Sequence, residues 1–176
     1  MIAKLRKMLG DVSSGECAAL MRLIETQSKH TLAAWAVRFV KKEYLPICQK
    51  ELPQEHRLEE AIAGCEEYLA GTRKLNDVKP LLREAKQAAV DAAANPAAQA
   101  AARAISTACA AVQTPTNSLG FVFYGAAAAA YSTVGLDQSA EVYDRLAAEE
   151  FEKATKSLQE VAIADEPNPA RISWNC

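Results

Sequence analysis

Apolar positions recur at intervals of three and four residues along almost the whole chain, and no stretch alternates apolar and polar residues for long enough to read as a strand. The pattern therefore predicts an all-α protein. Its most apolar part lies between Pro96 and Gly135, where AARAISTACAAVQ and SLGFVFYGAAAAAY read as two close-packed helices joined at Thr114 to Asn117. Asn95 and Pro96 supply an N-cap and a first-turn proline, Pro115 stops the first helix, and Thr116, Asn117 and Ser118 offer oxygens to cap the second. Both helices are apolar nearly all round. This hairpin is therefore expected to form the dry centre of the fold, with the other helices enclosing it.

The remaining helices follow from the same spacing. A short helix is expected over residues 2–9, ending at Gly10, and Ser13 with Glu16 has capping-box spacing at the start of a second with the stripe Cys17, Leu20, Met21, Ile24. From about Lys29 a third helix sets Leu32, Trp35, Ala36, Phe39 and Val40 against Arg38, Lys41 and Lys42, until Pro46 kinks or interrupts it. After Pro53 a fourth turns Leu58, Ala61, Ile62, Cys65, Tyr68 and Leu69 inward and Glu59, Glu60, Glu66 and Glu67 to water, stopping at Gly71. Asn76 or Asp77 is expected to cap a fifth, with Pro80 in its first turn. Asp137 is expected to cap a last helix whose stripe is Tyr143, Ala147, Phe151, Ala154, Leu158, Val161 and whose outer face pairs Glu141 with Arg145, Glu149 with Lys153 and Glu152 with Lys156. Short connections favour antiparallel neighbours. The expectation is a single-domain antiparallel bundle or stack of about seven to eight helices, with residues 1–28 as an N-terminal helical extension, 29–163 as the helical domain and 164–176 as an irregular tail.

Composition narrows the function classes. At 176 residues and 50% hydrophobic content the chain can bury one substantial core. A formal charge of -2 lacks the concentrated basic surface that nucleic acid requires. The N-terminus has no continuous apolar run of the secretory type, so a cytoplasmic location is expected. The run from Leu119 to Leu136 is diluted by Ser132, Thr133 and glycines, so it reads as a buried helix and no membrane partner is expected. Five cysteines show no metal-ligand spacing and read as structural thiols, with Cys176 the one expected to be exposed. No metal or cofactor is expected.

Catalytic signatures are missing: the chain has no HExxH, GxSxG, phosphate-binding glycine loop or Glu-x-x-His pair. His30 and His56 stand near helix starts and read as solvent-facing or capping residues. What remains are polar or aromatic residues set among apolar ones. Trp35 is a core anchor or a ligand platform, with Arg38 one turn away. Arg103 lies among Ala100, Ala101, Ala102 and Ala104 and needs a partner or a route to water. Gln113, Thr114, Thr116 and Asn117 crowd the bend of the hairpin as turn chemistry or as a polar site.

In order along the chain, AAWAVRF, YLPIC, HRLEEAI, AARAIS and VQTPTNSLGFVFYGAAA resemble a bacterial all-α family of immunity-protein-five-like type, predicted in polymorphic-toxin systems; the likeness covers roughly residues 31–134. The resemblance singles out Trp35, Leu45, Pro46, Arg57, Arg103 and the bend from Gln113 to Gly120. On this resemblance, many relatives carry histidines where this chain has Gln113 and Asn117, so any metal role those histidines serve is not implied here. It implies an antitoxin-like protein, monomer or homodimer, that binds and neutralises a cognate toxin without catalysis. An acidic edge of Glu55, Glu59, Glu60, Glu66 and Glu67 would suit a basic nuclease. Two alternatives stay open. One is a small-molecule binder or enzyme whose interhelical pocket is lined by Trp35, Arg103, Gln113, Asn117 and Tyr124. The other is a helical scaffold that self-associates through its alanine-rich faces.

Overall fold

Residues 4–174 are described by a computed structural model, and among them the chain forms eight helices and no strand. They are α1 (Gly15–Ile24), α2 (Lys29–Glu43), α3 (Leu45–Glu51), α4 (Arg57–Leu69), α5 (Leu75–Asp91), α6 (Pro96–Ala110), α7 (Asn117–Val134) and α8 (Ala140–Val161). The alanine-rich hairpin is the centre, as its composition requires: α6 and α7 share the most extensive contact in the molecule. Small residues permit that approach, and Ala101, Ala104, Ala108, Val122, Ala127 and Ala128 are all buried. Helices α2 to α5 pack on α6, while α1, α2 and α8 pack on α7.

Proline and glycine set the geometry at two points. Pro46 occupies the first turn of α3, where its missing N–H is no loss, so α2 ends at Glu43 and α3 begins afresh. The junction residue Tyr44 projects into the core, in edge-to-face contact with Phe39, and that ring joins Trp35 and Phe121 in one aromatic cluster. Opposite, α7 carries Gly125, where a Cβ would lie 2.2 Å from the Tyr44 hydroxyl. Only a glycine lets the ring in.

Several local expectations need correction. Residues 4–10 are not helical: Leu9 is buried, its N–H donates to the carbonyl of Phe123 at 3.1 Å, and Gly10 turns with φ 117°. Residues 2 and 3 of that expected helix, and Cys176, lie outside the described residues. Ser14, not Ser13, caps α1 by accepting from the Cys17 N–H, because the Ser13 N–H is turned back onto Asp11. Helix α5 starts one residue before Asn76, with Lys74 at its cap and no side-chain cap bond. Pro80 therefore sits at the sixth helical position, inside the helix rather than in its first turn. Thr116 enters α7 with helical backbone angles and makes no cap bond, since consecutive turns from Thr114 already satisfy the first N–H groups. Ser139, not Asp137, caps α8. On that helix Glu149 pairs with Arg145, and Lys153 reaches across to Glu43 of α2 at 2.5 Å instead of pairing with Glu149.

The chain after α8 is irregular but docked. Its backbone bridges Ser28 to Pro169 in an isolated antiparallel contact, and Ala170 donates to the Gln27 carbonyl at 2.7 Å. Cys17, Cys48, Cys65 and Cys109 are all buried, as structural thiols should be.

Candidate functional site

The acidic edge expected from the sequence exists, and its organiser is Arg57 at the start of α4. Glu55 receives the Arg57 backbone N–H at 3.0 Å and a fork of side-chain bonds, Nε at 2.9 Å and Nη2 at 2.6 Å. Nη2 also reaches Asp91 of α5 at 2.9 Å, so this one guanidinium ties α4 to α5. The Arg57 hydrogen bonds hold the Glu55 carboxyl below its ordinary range. A bond from Gln87 and then one from Arg57 do the same for Asp91. Two carboxylates in turn keep Arg57 firmly charged.

The other members of the edge are more exposed. Glu66 accepts both bonds from Lys41 Nζ, at 2.9 and 3.1 Å, and Glu67 accepts from Arg73 at 3.1 Å. Glu59 takes a weak 3.4 Å bond from Gln49, and Glu60 is exposed with no ion pair among the described residues. Exposed pairs of this kind contribute little to stability and exchange partners readily. Across residues 51–69 six glutamates face one arginine, a local charge of -5 in a chain that totals -2. Beside the edge lies an open cleft of about 390 Å³, floored by Leu52, Pro53, Ala88 and Ala92 and rimmed by Glu51, Glu55 and Asp91.

The residues expected to line one interhelical pocket are dispersed instead. Trp35 is 2% exposed, packed against Phe39 and Phe121, with its indole N–H donated to Ser157 at 3.0 Å. It is a core anchor whose edge reaches a groove of about 450 Å³ between α2 and α8, where exposed Arg38 stands on the rim with Lys42, Lys156, Glu152 and Glu160. Arg103 lines a different, smaller cavity with Arg6, Lys7 and Tyr131. Gln113 is exposed at the turn between α6 and α7, with Asn117 half-buried just after it and Tyr124 half-buried farther along α7. His30 and His56 face solvent.

One buried polar pair escaped the sequence reading. Tyr44 donates its hydroxyl to Glu150 of α8 at 2.8 Å, both side chains being buried. Burial raises the Glu150 carboxyl, with the Tyr44 bond and the Lys153 charge opposing it. Burial also raises the Tyr44 hydroxyl, and the neighbouring carboxylate adds to that. The available signal was Glu150 falling three residues after Ala147 on an otherwise apolar stripe.

Among the described residues no cluster of three or more His, Cys, Asp or Glu side chains could hold a metal ion, and no helix is long and apolar enough to cross a membrane. No curated protein and no solved structure matches the chain. A family model described as Imm-5 like putative immunity protein matches residues 22–157 of the 176, from within α1 to within α8, and the chain belongs to that family.

Proposed function

We propose that the protein is a non-catalytic immunity protein that neutralises a cognate bacterial toxin by binding and masking it in the cytoplasm. The observation that carries this reading is the family membership across residues 22–157, which takes in almost the whole helical body. The contact face we assign is the acidic edge of α4 with the cleft beside it, and the matching partner is a protein with a basic surface, such as a nuclease. A patch of about 800 Å² is the usual share of one partner in a stable complex, with an apolar centre and a polar rim. Leu52, Pro53, Ala88 and Ala92 would supply the centre, and Glu55, Glu59 and Glu60 the rim. Trp35 and Arg103 line different cavities and Gln113 is exposed at the turn, so the three do not support one shared pocket.

Co-expression with the product of a toxin gene found beside its own tests the reading. The expected result is survival of the host cell and a stable complex of fixed stoichiometry on size-exclusion chromatography. Failure to protect, with no complex formed, would overturn the function. Silencing of a molar excess of toxin, or covalent change in the toxin's mass, would overturn the non-catalytic mechanism.

A further inference from the structure

The cavity beneath Arg103 has a composition found at no other part of the surface described above. Its volume is about 170 Å³, and it is lined by Leu5, Arg6, Lys7, Pro96, Gln99, Ala100, Arg103 and Tyr131, three cations without a carboxylate. The polar neutral members are already engaged: Gln99 donates to the Ala89 carbonyl at 2.9 Å and the Tyr131 hydroxyl donates to the Arg6 carbonyl at 2.6 Å. That second bond, with the Leu9 N–H to the Phe123 carbonyl, ties the N-terminal segment to α7. Arg6 spends one nitrogen on Asp144 at 2.8 Å and keeps the rest of its guanidinium. Arg103 is half-buried on a helix whose neighbouring alanines are buried, and no ion pair engages it among the described residues. Elsewhere Arg57, Arg73 and Arg145 face carboxylates, whereas Arg22, Arg38, Arg83 and Arg171, also without an ion pair among the described residues, are exposed; Arg103 differs in being half-buried.

We propose that this cavity is an oxyanion-binding site, with the Arg103 guanidinium as the principal ligand and Arg6 and Lys7 as supporting charges. Arg6 and Lys7 are exposed and Arg103 is half-buried, so the three like charges converge on one cavity whose lining offers no carboxylate, and an anion held there would relieve their mutual repulsion. The Arg103 fork suits two oxygens of one group, a carboxylate or a phosphate, by paired N–H bonds. Size separates this from a cofactor pocket, because sites that enclose drug-sized ligands run from about 300 to 1,000 Å³. The site therefore takes an anionic group, offered either by a free phosphate-bearing ligand or by an acidic side chain of a protein partner. It does not depend on the acidic edge being the toxin contact.

The test uses the free protein. Arginine Nε–H and backbone amide NMR signals are followed during titration with sodium phosphate and, separately, sodium acetate, with ionic strength held constant by sodium chloride. Saturable shifts are expected at Arg103 and at residues 6, 7 and 99–104, with affinity in the millimolar range or tighter. Arg103→Gln should weaken binding by about tenfold or more, which is about 1.4 kcal/mol, and the exposed Arg22→Gln on α1 should leave it unchanged. Saturation by both anions assigns the site to oxyanions generally, a partner's carboxylate included; saturation by phosphate alone assigns it to phosphate groups. No saturation by either, or undiminished binding in Arg103→Gln, overturns the proposal. Should Arg103→Gln not fold, Arg103→Lys keeps the charge and loses the fork, and equal affinity in that variant overturns the assignment to a guanidinium.

Discussion

Glu150 occupies a position on α8 that the apolar stripe reserves for the core, 7% exposed between Ala147 and Phe151. Burial raises its pKa, and the Tyr44 hydrogen bond offsets that only in part. An acid whose folded pKa lies above its unfolded value of ~4.3 holds more protons in the native state across the window between the two. Stability from this residue is therefore greatest below the unfolded value and falls as pH rises through the folded one. Glu55 and Asp91 run the opposite way, since their pKa values are lowered: what they contribute is present above their unfolded values and lost on acidification. Comparing Glu150→Gln with the parent isolates the first effect. The amide keeps an acceptor for Tyr44 and removes the charge, so its urea midpoint should exceed the parent's at neutral pH, with the difference shrinking as pH approaches 4. A difference that stays constant with pH would mean that Glu150 does not titrate between the two states. Tyr44→Phe should instead cost about 1–3 kcal/mol at neutral pH, by leaving a buried carboxylate without its donor.

At the scale of elements, the turn between α1 and α2 is held by a strap from the far end of the chain. Gln27 is 2% exposed and uses its amide twice on residue 163, accepting from the Ile163 N–H at 2.9 Å and donating to its carbonyl at 3.1 Å. Glu166 then accepts the Ser28 N–H at 3.1 Å and the Thr31 hydroxyl at 2.7 Å, both at the N-terminus of α2. Desolvation raises the Glu166 carboxyl, but those bonds outweigh it and leave its pKa lowered. The Trp174 indole N–H closes the strap onto Glu25. Gln27→Ala removes the central bonds, so a loss of about 1–3 kcal/mol is expected. Hydrogen exchange should show Ala170 losing protection while the amides of α6 and α7 follow only the global stability. Unchanged protection at Ala170 would show that the strap holds without Gln27. This strap was illegible in the sequence because its partners lie 136 residues apart and the segment carries no periodicity. The hairpin, Pro46 and the Asn95 cap were legible because each is decided within a few residues. Where two capping residues stand close, the choice was not legible: at Ser13 and Ser14 a local turn onto Asp11 sets the cap at Ser14, and at Asp137 and Ser139 the helix begins only after Ser139. The expected N-terminal helix failed for a non-local reason, because Leu9 is buried and bonded to Phe123 within a segment that is not helical.

Charge is unevenly spread over the whole molecule, with -5 on residues 51–69 and therefore +3 on the rest. The acidic edge could be read from sequence, since α4 puts Glu59, Glu60, Glu66 and Glu67 outward by simple helical spacing. Arg57 itself was singled out by the family likeness, but its part as the hub could not be read, because Asp91 meets Arg57 only once α4 and α5 have packed. A segregated charge acts mainly on encounter, by steering an oppositely charged partner, and salt screens it over about 8–10 Å at physiological ionic strength. Reversing Glu59 and Glu60 to lysine brings the edge from -5 to -1 while leaving the Arg57 fork intact. On the contact proposed above, the association rate with a cognate toxin should then fall by about tenfold or more at low salt, its salt dependence should flatten, and the dissociation rate should change far less. Reversing Glu152 and Glu160 on α8 changes the net charge equally but leaves α4 untouched, so it separates local steering from total charge. Stopped-flow association at two salt concentrations reads both variants. Equal slowing in the two would mean that only net charge matters, and unchanged kinetics in the first would move the contact face away from α4.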